Sequence, residues 1–128
     1  MTNIQTYAAP AGRVLIALIF VMSGLNKIFA YGATAGWMEA MGVPGALLPL
    51  VIILEVVGGV AIVVGWQTRL AALALAGFSV LSALIFHANF ADQAEMINFM
   101  KNVAIAGGFL FLVANGAGAY SLDNRKSN

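Results

Sequence analysis

The residues able to bind, pair or move a proton in an apolar setting are Glu55, His87, Lys27 and Lys101, with the amides Asn26 and Asn102 beside the two lysines. Glu55 is the most informative. It is the single acid in residues 47–66, LLPLVIILEVVGGVAIVVGW, about one bilayer thickness of apolar sequence. A carboxylate at membrane depth costs on the order of 2.5–3.5 kcal/mol even on lenient insertion scales. Such a group faces the interior of a helix bundle, either paired or protonated. Lys27, His87 and Lys101 each sit near the end of another apolar stretch, so they are the candidate partners. Two readings of Glu55 follow: one half of a buried structural ion pair, or a carboxylate that exchanges protons or holds a ligand.

The elements that must position these groups are transmembrane helices. Of 128 residues, 62% are hydrophobic and only 9% charged, with a mean hydropathy of +0.94. A water-soluble domain is about 25% charged, so the composition describes an integral membrane protein. The expected fold is all-α: one four-helix transmembrane bundle with short loops, facing the lipid bilayer. A net charge of +1 gives no sign of a nucleic-acid partner. The absence of cysteine excludes disulfides, thiolate redox chemistry and cysteine-ligated iron–sulfur clusters. A lone histidine argues against a metal centre and against haem held by two histidines within one chain. Any redox role therefore needs a bound cofactor or another subunit. The N-terminus lacks a basic region ahead of its apolar run, so the first span is expected to stay in the mature protein.

The spans are expected at about residues 7–29, 46–66, 69–87 and 97–115, followed by a polar tail over 116–128. Arg13 and Lys27 bracket the first, with Ser23 four residues before Lys27. Residues 31–45 connect to the second span, and a short amphipathic helix is expected there, capped by Thr34 and carrying Trp37, Met38 and Met41 on one face. It reads as an interfacial segment or as a lid over a site. In the second span Gly58 and Gly59 follow Glu55 at i+3 and i+4, which places the acid on a close-packed face. Thr68 can cap the third span. Along that span Ala72, Ala76, Ser79 and Ala83 form a small-residue stripe leading to His87. Residues 88–96 read as a polar loop. In the fourth span Asn98, Lys101 and Asn102 make a polar face, and Gly107-Gly108 offers a second packing point. Such faces fit packing within one chain and homodimerisation alike.

Four spans put both termini and the turn between spans 2 and 3 on one side, together with Arg13, Arg69, Arg125 and Lys126. The opposite side holds Lys27 and Lys101, so the terminal side is expected to be cytoplasmic. The same topology brings Lys27, Glu55, His87 and Lys101 into the other half of the bundle. Their summed charge suits a small anion or the carbonyl oxygens of a quinone, and equally a structural network.

Motifs spread over nearly the whole chain resemble the DoxX family of small four-span bacterial inner-membrane proteins. They are Gly12-Arg13, Ser23-Gly24-Leu25-Asn26-Lys27, Gly42-Val43-Pro44, Leu54-Glu55-Val56-Val57-Gly58-Gly59, the run from Gly65 to Ala72, His87, Phe99-Met100-Lys101-Asn102, and the tail from Gly116 to Asp123. The resemblance implies a four-helix membrane bundle in the bacterial inner membrane. It also implies association with quinone-linked or sulfur-oxidising oxidoreductase systems, whose activity involves partner subunits. Within the tail, Asp123 is expected to return to Arg13 or Arg69 and pair with one of them.

Three functions fit. The first is a membrane subunit of an electron-transfer system, binding a quinone or a small sulfur anion through Lys27, Asn26, Lys101 and Asn102, with Glu55 and His87 handling protons. The second is a non-catalytic scaffold or assembly factor, and the third a small transporter or proton path. The topology has a direct check. A cysteine replacing Ser127 is expected to resist impermeant thiol reagents in intact cells, and one replacing Asp92 to react; the opposite pattern inverts the orientation.

Overall fold

The computed structural model describes residues 3–86 and 91–124. It contains helices α1 (Asn3–Phe29), α2 (Tyr31–Ala40), α3 (Leu48–Val64), α4 (Thr68–Phe86) and α5 (Gln93–Asn115), with a 3-10 turn at Gly45–Leu47. Four segments are long and apolar enough to cross a membrane: Thr6–Phe29, Gly45–Val64, Thr68–Phe86 and Gln93–Asn115. No strand occurs among the described residues. The protein is thus a membrane-embedded, all-helical four-span bundle. Its periphery carries large apolar side chains such as Leu15, Leu50, Leu70 and Phe111, which would aggregate in water and are at home in hydrocarbon.

Without a hydrophobic force between helices in lipid, close backbone approach must hold the bundle. α1 packs on α3, and α4 on α5. At the α1–α3 crossing a β-carbon on Gly59 would lie 2.7 Å from Val21 Cγ2, and one on Gly24 only 3.3 Å from the backbone N of Val56. Ala72, Ala76, Ser79 and Ala83 are all buried, as a packing stripe on α4 requires. Gly108 meets Ile16, whereas Gly107 faces open space. Between the helix pairs lies a core of Ala17, Phe20, Ile62, Ala72, Leu75, Ala76, Ala106 and Phe109. The Phe20 and Phe109 rings stand 5.4 Å apart at 59°.

Several boundaries differ from expectation. α5 begins at Gln93, not 97, because the Asp92 side chain accepts from the Ala94 N–H at 2.9 Å and caps the helix. α1 runs back to Asn3. Thr34 does not cap α2; its hydroxyl donates to the Ala30 carbonyl inside a helix that starts at Tyr31. Of the expected apolar face of α2, Met38 is buried while Trp37 and Met41 are exposed. Thr68 does not cap α4 either: the first N–H groups there are taken by a carboxylate from the tail.

That carboxylate belongs to Asp123, which accepts from Gln67 N–H at 2.7 Å and from Thr68 N–H at 2.9 Å. The tail backbone is docked beside it, with Leu122 N–H donating to Val64 O and Asp123 N–H to Gly65 O. Arg13 completes the knot. It is 2% exposed and donates through Nη1 to Ile62 O and Val63 O, and through Nη2 to Tyr120 O. Carbonyls of the last helical turn lack downstream partners, and a cation there also complements the helix dipole. Gly65 ends α3 with φ +72°, Trp66 N–H returning to Ala61 O and Gly65 N–H to Ile62 O, the Schellman arrangement. A side chain at Gly65 would strike both Arg13 and Ser121.

The expected direct pairing of Asp123 with an arginine is replaced by this cap. Arg13 acts on Asp123 only through its field, and Arg69 lies instead against Gly116. Burial of Asp123 opposes ionisation. The Thr68 hydroxyl, which approaches without reaching hydrogen-bond geometry, the Thr68 and Gln67 N–H groups and Arg13 outweigh it, holding the carboxyl below its ordinary 3.8. A carboxyl whose folded pKa is depressed stabilises the fold above its unfolded pKa and loses that effect as pH falls through the folded value. Asp123→Asn is therefore expected to lower the Tm at neutral pH in detergent. The gap to wild type should close as pH drops below 3.8. Equal Tm values at neutral pH would show that the cap contributes nothing.

Candidate functional site

At the end of the bundle opposite the tail, the first span closes with Ser23 and Lys27 one helical turn apart. The Lys27 ammonium donates to Ser23 Oγ at 2.6 Å and stands 2.8 Å from Glu55 Oε1. The Glu55 side chain is 3% exposed and that of Lys27 24%. The distance is that of an ion pair, while the approach is off-axis, so Oε1 takes no well-directed hydrogen bond. The glycines of the α1–α3 crossing make this contact possible. Gly24 brings α1 against the Glu55 β-carbon, so a lysine one turn further along reaches the acid.

The pair stands in the wall of a cavity of about 460 Å³, within the roughly 300–1,000 Å³ usual for small-molecule sites. α1 contributes Phe20, Ser23 and Lys27; α2 contributes Thr34, Trp37 and Met38; α4 contributes Phe78, Ser79, Ser82 and Phe86; α5 contributes Lys101, Asn102 and Ile105. Trp37 and Phe86 stack, with centroids 4.5 Å apart and planes at 25°, joining α2 to the end of α4 over the cavity. The Ser79 hydroxyl donates to Leu75 O on its own helix.

Of the residues expected to form a site, Glu55, Lys27, Lys101 and Asn102 therefore share one cavity. Asn26 does not. It is exposed and lines a shallower groove with Met22, Ala30 and Trp37. His87 lies outside the described residues. Arg13, Arg69 and Asp123 sit at the other end of the bundle. Sequence reasoning left out Ser82, Thr34 and Phe86. Ser82 had a signal, since it follows Ser79 at i+3 and edges the small-residue face; the aromatic stack had none, because it depends on how α2 folds back.

Replacing one member of a buried pair leaves a charge without compensation, at about 3 kcal/mol or more. Lys27→Met alone and Glu55→Met alone are each expected to lower the Tm. The double variant should recover much of the loss, since no charge then remains. A double variant as unstable as the sum of the two would show the groups to be uncoupled.

Similarity to known proteins agrees with this architecture. Residues 8–88 match the DoxX family. The Escherichia coli K12 protein named "Inner membrane protein YqjF" is 48% identical over 123 residues, covering 96% of this chain and 95% of the relative. "Inner membrane protein YphA" of the same organism is 37% identical over 121 residues, covering 88% and 86%. No solved structure matches. The chain belongs to the DoxX family.

Proposed function

We propose that this chain is the membrane subunit of an electron-transfer system, and that its cavity takes the head group of a quinone. The observation that carries this reading is an ion-paired carboxylate on the wall of a largely apolar cavity of ligand size. Such a site offers what reduction of a quinone needs. The Lys27 ammonium can donate to a carbonyl oxygen, lowering the cost of negative charge developing there. The Glu55 carboxylate can take up a proton from water and pass it to that oxygen as it gains electrons, returning to the ionised form. His87 is the other proton carrier that the sequence offers. The electrons come from a partner subunit, since this chain has no cysteine and no second histidine with which to build a redox centre.

The two relatives named as inner-membrane proteins support a bacterial inner-membrane location for this chain. The excess of basic residues at the terminal end supports cytoplasmic N- and C-termini. A second reading is favoured by the position of the pair: it ties α1 to α3, which a scaffold or assembly factor would also need.

The test is organic extraction and mass spectrometry of protein purified in mild detergent, wild type beside Glu55→Gln. A stoichiometric quinone in the wild type, lost in a folded Glu55→Gln, is the expected result. No small molecule in either would remove the support for a quinone site and leave the scaffold.

A further inference from the structure

The cavity holds more positive charge than it pairs. Lys27 is committed to Glu55 and Ser23. Lys101 lines the same cavity from α5, and its ammonium has no hydrogen-bond or ion-pair partner among the described residues. The two helices enter from the same end. At 1.5 Å per residue, Glu55 lies ~11 Å into α3 and Lys101 ~12 Å into α5. The backbone of Lys101 therefore lies at about the level of Glu55, with its side chain exposed at the cavity rim. With Glu55 ionised, two lysines against one carboxylate leave one positive charge. It stands at the exposed rim of a cavity whose walls are otherwise largely aromatic and aliphatic.

That balance discriminates among ligands. A neutral ring leaves Lys101 uncompensated. A small inorganic anion compensates it but surrenders its hydration to Phe20, Phe78 and Ile105, which return nothing. A molecule with one negative oxygen head group and an apolar body meets both demands, with the Asn102 amide available as a second donor. Resting on the reading of this cavity as a ligand site, we infer that beyond a quinone ring at Lys27 and Glu55 it accepts an amphipathic monoanion, its head group at Lys101 and its body against the apolar walls beneath Trp37. A free carboxylic acid and an anionic phospholipid share this chemistry.

Trp37 lines the cavity and reports directly on occupancy. In a Trp66→Phe background it is the only tryptophan. The probes are a brominated medium-chain carboxylate and the brominated alcohol of the same chain, titrated in non-ionic detergent well above the acid's pKa. The alcohol controls for partition into the micelle. The carboxylate is expected to quench Trp37 saturably at a concentration at least about tenfold lower than the alcohol, the worth of one charge-assisted hydrogen bond. Lys101→Gln should abolish that preference and Lys101→Arg keep it, circular dichroism showing both to be folded. Equal quenching by acid and alcohol, or a preference that survives Lys101→Gln, overturns the inference. A brominated phosphatidylglycerol distinguishes the sources: quenching by it as well admits bilayer lipid, and quenching by the carboxylate alone assigns a free acid. A short-chain benzoquinone is tested for displacement of the bound probe. Displacement without an acid preference upholds the quinone site and sinks this inference; an acid preference without displacement does the reverse.

Discussion

A charge carried into hydrocarbon must find its compensation inside the protein, and in this bundle that requirement acts at both ends. At one end Glu55 meets Lys27 across the α1–α3 crossing. At the other the Nη1 and Nη2 groups of Arg13 donate to carbonyls of α3 and of the tail. Both solutions use the same device. Small residues let two backbones approach until a long basic side chain on α1 spans the remaining distance. The helix pairing and the compensation are therefore one constraint. If α1 moved off α3 by the width of a methyl group, Lys27 and Arg13 would both lose their partners.

The two ends differ in what they leave over. At the tail end the backbone of the α3–α4 turn is met by Asp123, Leu122 and Arg13, while Arg13 Nε and the Thr68 hydroxyl have no hydrogen-bond partner. Each end has a cavity; the one opposite the tail is the more apolar, and beside it are an acid with an ill-directed ion pair and a second lysine without a counter-charge among the described residues. An acid and an unpaired lysine beside a largely apolar cavity of this size are the kind of arrangement that ligand sites use. The α2 segment, held over that volume by the Trp37–Phe86 stack, is placed where a ligand would have to pass or be covered.

Much of this was legible in the chain because membrane burial is a severe constraint. An acid within twenty apolar residues announces a buried pair, and lysines one turn inside helix ends announce which end it occupies. The spacing of Ala72, Ala76, Ser79 and Ala83 gave the packing face of α4 by helical periodicity alone. What stayed hidden were contacts between segments distant in sequence. Thr68 looked like the cap of α4, because an N-cap is ordinarily local; the carboxylate that caps it comes from residue 123. Asp123 looked like half of an arginine pair because opposite charges were the only long-range rule available, yet backbone N–H groups offered two donors with fixed geometry. The sequence places the start of α5 four residues late because Asp92 reads there as loop polarity, whereas its side chain caps the helix.

The use of Asp123 as the cap of α4 has a consequence for biogenesis. The N-terminus of α4 enters the bilayer while more than fifty residues are still to be translated, and its first N–H groups stay open until the tail arrives. The Arg13 guanidinium likewise waits for the Tyr120 carbonyl, more than a hundred residues further along the chain. Completion of this end of the bundle is thus tied to the synthesis of residues 120–123. Before they are made, the Arg13 guanidinium lacks one acceptor and α4 lacks its cap.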